Sequence, residues 1–360
     1  MNKEEILDRK RKYGIANERF IELFMCDFKI LKVINDISPD FILKGGAAAQ
    51  LYLPIEKQRA SIDLDLMTHL KREDVEKIFS KIEYIKRYTP KKAVVNLAMV
   101  TYLARIESVI DKSEIEVKID AFFDEHPKIS PKLIRDKKLF ALDIDFPIRV
   151  VSEGYLAGDK ILTLATESVG VTGHRISELP KHVYDIARLT ETIYDKVLDD
   201  FIHSFRYNLE REIKRVDLEL KEVDILDNIL STLDRFCTID TACGRGDVDI
   251  KRHILNFQSQ YLTNQSRIGL SSWISDALRV KYLITLIKKH SLGTIATDYV
   301  LEKYRALLFE LEKIRSMNRD EREKMSSVLY SKIKAPYKKQ LRGKMLERIY
   351  LEVVNQDESF

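Results

Sequence analysis

FILKGGAAAQL at residues 41–51, followed after a short loop by RASIDLDL at 59–66, is the stretch whose reading decides the fold. Phe41, Ile42 and Leu43 form an apolar run that leads through Lys44 to Gly45 and Gly46, and then into an alanine-rich segment that favours helix. A strand that turns through two glycines into a helix lets backbone come close to a ligand, and the first N–H groups of that helix have no partner within it. Such a helix start suits a phosphate group. Downstream, Asp63 and Asp65 alternate with Ile62, Leu64 and Leu66. On a strand, whose side chains alternate between faces, this spacing sends both carboxylates to one side. Neighbouring carboxylates repel one another unless a divalent cation lies between them.

A third acid is expected from EIEVKIDAFF at 114–123, which alternates like a half-buried strand and in which Asp120 follows an apolar residue as Asp63 does. If that strand lies beside the Asp63 strand, Asp120 shares the metal with Asp63 and Asp65 and acts as base for an incoming hydroxyl. The ordinary alternative is an ion pair of Asp120 with Lys118 or Lys112. Mg²⁺ is the expected ion, with Mn²⁺ able to replace it, because hard carboxylate oxygens and substrate phosphates fill its shell. The chemistry this arrangement suits is in-line displacement at phosphorus with an NTP as substrate.

Around this stretch the texture is mixed. Residues 3–37 read as helix, with Ile21, Phe24, Phe28, Leu31 and Ile34 at helical spacing and Pro39 ending the pattern. From Phe41, apolar runs at 41–43, 62–67, 95–106, 114–123 and 146–151 alternate with helix-like stretches at 47–53 and 71–82, which predicts a mixed sheet with flanking helices. From Ser152 the pattern is helical near 153–168, 180–192, 195–221, 223–236, 272–290, 295–317 and 338–354. Breaker-rich stretches at 238–249 and 261–271 read as long surface loops. The expected class is α+β/α, with a first domain over 1–190 and a mainly α-helical domain over 191–360. Leu156, Ile161, Leu164 and Ala165 facing inward from the 153–168 helix leave Lys160 beside the apolar face, able to extend its stem into a charged cleft.

The order of strand, Lys-Gly-Gly-small-small and Arg-x-Ser-x-Asp-Leu-Asp-Leu resembles the AbiEii/MenT-type nucleotidyltransferases, toxins of type IV toxin–antitoxin and abortive-infection systems with a polymerase-β-like fold. YLAGDKILTLA at 155–165 is similar to the family's helix bearing a nucleotide-facing lysine, which falls on Lys160. KHVYDIARL at 181–189 is similar to its Arg/Lys-Asp-x-x-Asp-Leu segment, with His182 in the place of the first acid and Asp185 keeping the second. The resemblance implies transfer of a nucleoside monophosphate from an NTP to RNA, with the tRNA 3′ end as acceptor and a separately encoded antitoxin as partner. It implies Lys44, Gly45, Gly46, Ser61 and Lys160 as nucleotide-binding residues, Asp63 and Asp65 as metal ligands beside the Asp120 expected above, and Lys160 and Asp185 as members of the catalytic set. For Asp185 the ordinary reading is a pair with a nearby base such as Arg188 on the same helix. Two other functions stay open: nucleotidylation of a protein hydroxyl, and a catalytically silent module that binds nucleic acid or antitoxin.

Other features bound the reading. With 360 residues, 45% hydrophobic and 33% charged, the chain is long enough for two cores. The charged start MNKEEILDRKRKYG and the absence of a long uncharged apolar run predict no secretory signal and no membrane span, hence a cytoplasmic protein. Cys26, Cys237 and Cys243 lack C-x-x-C spacing and predict reduced thiols. Asp143/Asp145 and Asp247/Asp249 repeat the Asp-x-Asp pattern without a glycine turn and are not expected to act. A net charge of +4 is only mildly basic, so acceptor binding is sought in patches: Lys86–Lys92, and Lys332, Lys334, Lys338, Lys339, Arg342, Lys344 and Arg348 interleaved with Tyr330, Tyr337 and Tyr350.

Overall fold

The computed structural model describes residues 1–87, 99–124, 129, 131–192, 195–216, 219–240, 247–333, 341 and 344–358. It has two compact units, one of residues 1–156 with 256–267, the other of 157–255 with 268–360.

The first unit opens with α1 (Lys3–Tyr13) and α2 (Glu18–Ile37), where apolar spacing alone predicts one helix. The break is built into the sequence: Gly14 closes α1 in the left-handed region at φ 67, its N–H donating to the Lys10 carbonyl. The Asn17 side chain then accepts from Arg19 N to start α2. Next come β1 (Phe41–Lys44), α3 (Gly45–Tyr52), β2 (Asp63–Thr68), α4 (Arg72–Phe79), β3 (Ile85–Arg87), β4 (Met99–Glu107) and β5 (Glu114–Phe123). The short strands β6 (Lys132–Ile134), β7 (Lys137–Lys138), β8 (Asp143–Ile144) and β9 (Ile148–Val150) precede α5 (Glu153–Ile161).

Among the described residues, seven strands make one sheet in the order β3-β4-β5-β2-β1-β9-β6. The β2/β5 and β1/β9 pairs are parallel and the rest antiparallel, so the sheet is mixed as expected. Strand β2 lies between β1 and β5, which puts the carboxylate strand at the centre of the sheet. Helix α2 packs on β2 and β5, and α3 packs on β1 and β2. From α4, Phe79 stacks on Phe41 with ring centroids 5.5 Å apart and meets the Tyr102 ring edge-on at 4.5 Å, which fixes that helix over the sheet.

The expected surface loop at 261–271 is in part core. Leu262 and Thr263 are fully buried and Ser266 nearly so. Ala60 N donates to the Tyr261 carbonyl at 2.9 Å and the Ser266 hydroxyl donates to the Gln58 carbonyl at 2.7 Å. The small polar residues that stop helical periodicity here also satisfy buried backbone, which apolar spacing does not register.

The second unit is helical: α6 (Leu179–Leu189), α7 (Asp195–Val216), α8 (Glu222–Cys237), α9 (Val248–Tyr261, up to Leu255 in this unit), α10 (Leu270–Ser291), α11 (Thr297–Ser316), α12 (Arg319–Lys332) and α13 (Leu346–Glu358). Helix α10 is its axis, burying Trp273, Leu278, Leu283 and Ile287 against α6, α8, α11 and α13. The chain thus follows a mixed sheet with a mainly helical second part, the expected class. Two of its helices escape the apolar pattern. Helix α9 begins inside the expected 238–249 loop, where Asp247 accepts from Ile250 N at 2.9 Å. Helix α12 starts from a capping box in which Asn318 accepts from Glu321 N and Glu321 accepts from Asn318 N.

Candidate active site

Register brings the acids together. Asp65 pairs with Asp120 across the parallel β2/β5 ladder and with Lys44 across β1/β2, while Asp63 pairs with Lys118. Residues opposite one another in a ladder share a face. Asp63 and Asp65 are half-buried while Leu64 and Leu66 on the other face are buried, so the two carboxylates point the same way. Asp120 is 6% exposed, and the alternation of β5 ends there because Asp120 and Ala121 are both covered.

Asp120 is held on both oxygens. The Thr101 hydroxyl donates to Oδ1 at 2.6 Å, and Lys118 Nζ donates to Oδ2. The pairing with Lys118 is therefore real, whereas Lys112 joins Glu107 at 3.1 Å. Burial opposes the charge on Lys118, yet its bond to Asp120 and the attraction of Asp120, Asp63 and Asp65 keep the ammonium above its usual range. Among the described residues no three His, Cys, Asp or Glu side chains are gathered into a metal-holding group. The donor set still fits a hard divalent cation: carboxylates in register on adjacent strands with a cationic group already drawn among them.

The glycine turn presses against these acids. Gly45 is at φ +71, and a Cβ there would lie 1.8 Å from Asp65 Oδ2. A Cβ on Gly46 would meet the Ser61 hydroxyl at 2.6 Å and Arg59 Nη2 at 2.9 Å. The close approach is what the glycines permit. Two buried glutamines hold the loop that carries Arg59 and Ser61. Gln50 donates to the Gly46 carbonyl at 3.0 Å and accepts from Arg59 N at 2.9 Å. Gln58 donates to the Leu53 carbonyl at 3.0 Å and accepts from Phe140 N at 2.8 Å. Lys44, 8% exposed, places Nζ 4.3 Å from the centre of the Phe122 ring.

Sequence reasoning missed Asp27. It sits on α2, fully buried, and among the described residues neither of its carboxylate oxygens has a hydrogen-bond partner. Burial first, then the charges of Asp63 and Asp65, raise its pKa well above the carboxylate range. Its signal in the sequence is an acid on an apolar stripe, three residues after Phe24 and four before Leu31.

In the second unit Lys160 and Asp185 meet in a 3.0 Å ion pair, 7% and 0% exposed. Lys160 is thus no solvated surface lysine. Asp185 does pair with a base, but the base is Lys160: Arg188 Nη1 and Nη2 donate to Glu191 and Asp276, because residue 185 lies on the buried stripe of α6 and Arg188 faces α10.

Other acids and thiols singled out in the sequence lie elsewhere and have partners or burial of their own. Asp143 and Asp145 pair with Arg9 at 4.0 Å and Lys32 at 3.3 Å. Asp247 caps α9 and accepts from Arg235 Nε at 2.6 Å. The Cys26 thiol is pushed up to about 12 by burial and then by Glu22 and Asp27, and burial likewise raises Cys237. Cys243, the first part (95–98) of the run expected over 95–106, and the tip of the Lys86–Lys92 patch fall outside the described residues, as do Lys334, Tyr337, Lys338, Lys339 and Arg342. Of the C-terminal patch that is described, Arg348 is 4% exposed and joins Lys344 on Asp240, at 2.5 and 2.7 Å. Both charges are engaged with Asp240 within the helical unit. Among the described residues no helix is long and apolar enough to cross a membrane.

A carboxylate set in register on a mixed sheet, with a glycine turn against it, is an arrangement that suits displacement at phosphorus once a divalent cation is bound. Residues 30–236 match the nucleotidyl transferase AbiEii toxin family of type IV toxin–antitoxin systems, and the chain belongs to that family. Nucleotidyl transfer is the family's activity and an antitoxin is the partner it implies. Among solved structures the chain is similar to JHP933 from Helicobacter pylori, at 16% identity over 82% of this chain and 99% of that one, with a TM-score of 0.40. A second structure, a candidate nucleotidyltransferase from H. pylori, is 16% identical over 79% of this chain and 98% of that one, with a TM-score of 0.39. No curated protein matches the chain.

Proposed function

We propose that the protein moves a nucleoside monophosphate from an NTP to an RNA, the 3′ end of tRNA being the acceptor, and that this is the toxic activity a separately encoded antitoxin restrains. The observation that carries the reading is the register of Asp65 with Asp120 beside the Gly45–Gly46 turn. In this reading the catalytic domain runs over 1–190 and the helical domain over 191–360.

The N–H groups at Gly45 and Gly46 and the Ser61 hydroxyl would hold the triphosphate, with Lys44 and Lys160 countering its charge. Asp63, Asp65 and Asp120 would hold Mg²⁺, or Mn²⁺ in its place, and the bound cation would supply positive charge against the triphosphate and the departing pyrophosphate. The acceptor hydroxyl oxygen attacks the α-phosphorus, its proton passes to Asp120, and the bond to pyrophosphate breaks. Asp185 fixes the Lys160 ammonium.

The test is incubation of the protein with α- or γ-labelled NTPs, Mg²⁺ and total RNA. Label moving to RNA from the α position alone supports this reading. α-Label on protein supports modification of a protein hydroxyl, and no transfer at all leaves a silent binding module.

A further inference from the structure

The acids of the first unit already hold a cation of the protein's own. Lys118 stands opposite Asp63 in the β2/β5 register and two residues before Asp120 on the same face of β5. Its Nζ donates to Asp120 Oδ2, and Asp63 and Asp65 add to the attraction. In register, Asp65 and Asp120 would repel across the ladder, and an ammonium bonded to Asp120 and attracted by Asp65 offsets that repulsion as a metal ion would. Two features make the arrangement reversible. The Lys118 side chain is 46% exposed on a flexible stem, so it can turn to solvent without a burial penalty. Thr101 bonds the other oxygen of Asp120 and keeps that carboxylate aimed after the ammonium leaves.

We propose that Lys118 is a positioning residue that acts as an internal counter-ion, occupying the place of a divalent cation among Asp63, Asp65 and Asp120 and yielding it when the cation binds. The ammonium stays protonated and moves off Asp120. Lys118 thereby sets the metal concentration at which the acids load, and in the resting protein it keeps them from repelling one another. The inference rests on the metal-site reading of these acids.

The experiment is calorimetric titration of the nucleotide-free full-length protein with Mn²⁺, for the wild type, Lys118→Met, Lys118→Arg, Asp63→Asn and Asp65→Asn. Lys118→Met, which keeps the stem and removes the charge, should lower the half-saturating Mn²⁺ concentration about tenfold or more. Lys118→Arg should stay near the wild type. Circular dichroism checks each fold, and Lys118→Gln replaces the methionine variant if that one fails to fold. Mn²⁺ uptake that Asp63→Asn and Asp65→Asn weaken, together with an unchanged or higher half-saturation in Lys118→Met, overturns the role of Lys118 and leaves the metal site standing. Absent uptake by the wild type, or uptake that neither aspartate variant weakens, takes the metal site and the inference down together.

Discussion

The carboxylate of Asp65 fills the space into which a Cβ on residue 45 would project, with Oδ2 1.8 Å from that position. Gly45 and Asp65 therefore define one another: the left-handed turn brings backbone against the acid, and the acid leaves room for hydrogen alone.

Gly45→Ala should damage both stability and activity. A non-glycine residue at φ +71 costs about 1–3 kcal/mol, and the methyl also displaces Asp65 from its place beside Asp120. Gly46→Ala meets only the ends of the Ser61 and Arg59 side chains and gains helix propensity, so its unfolding midpoint should stay near the wild type while transfer falls. Urea unfolding with the α-label assay separates the two. Equal midpoints would show that Asp65 does not confine residue 45.

Asp63→Asn and Asp65→Asn should each reduce α-label transfer at least about a hundredfold, since each removes a full negative charge where the substrate's counter-charge is held. Asp247→Ala should leave transfer intact and cost about 1 kcal/mol, the ordinary loss of a helix cap. Comparable activity loss in all three would mean that the wrong Asp-x-Asp pair has been assigned.

Much of this site is legible in residues 41–66 and 114–123 because it depends on local rules. Strand period places Asp63 and Asp65, and Gly45 announces its turn. β5 occupies the full 114–123 span expected of it. What the sequence leaves out is pairing between distant segments. The β2/β5 register sets Asp120 against Asp65, and nothing local specifies that offset. Asp27 gains its meaning only from Asp63 and Asp65 on the strand that α2 covers, Lys118 its place opposite Asp63 only from the β2/β5 register, and the 261–271 stretch only from the Gln58 and Ala60 backbone it satisfies. Helix α12 was readable, since the Asn318–Glu321 capping box is a local signal that its weak apolar periodicity conceals.

Asp27 gives the protein a pH dependence of a defined sign. Its folded pKa lies above the unfolded value because burial, and then Asp63 and Asp65, disfavour its charge. Native protein therefore holds the proton more tightly than unfolded chain. Stability falls as pH rises from the unfolded value of about 4 toward the folded one. Asp27→Asn removes that slope, so in metal-free buffer the variant should gain stability relative to wild type between pH 4.5 and 7.5. Urea midpoints that run parallel across this range would show that Asp27 ionises alike in both states.

The Lys160–Asp185 pair poses the last question, whether Lys160 serves the fold or the reaction. Both side chains are buried and 3.0 Å apart. Removing one partner strands the other charge, so Asp185→Asn should destabilise the protein by about 3–5 kcal/mol. Replacing both with apolar residues of similar size, in Lys160→Met/Asp185→Leu, leaves no buried charge and should recover a large part of that loss. If Lys160 also counters phosphate charge, the double variant will be folded yet inactive with NTP, its unfolding midpoint restored and its α-label transfer absent. A double variant that recovers transfer along with stability would make the pair purely structural and remove Lys160 and Asp185 from the catalytic set.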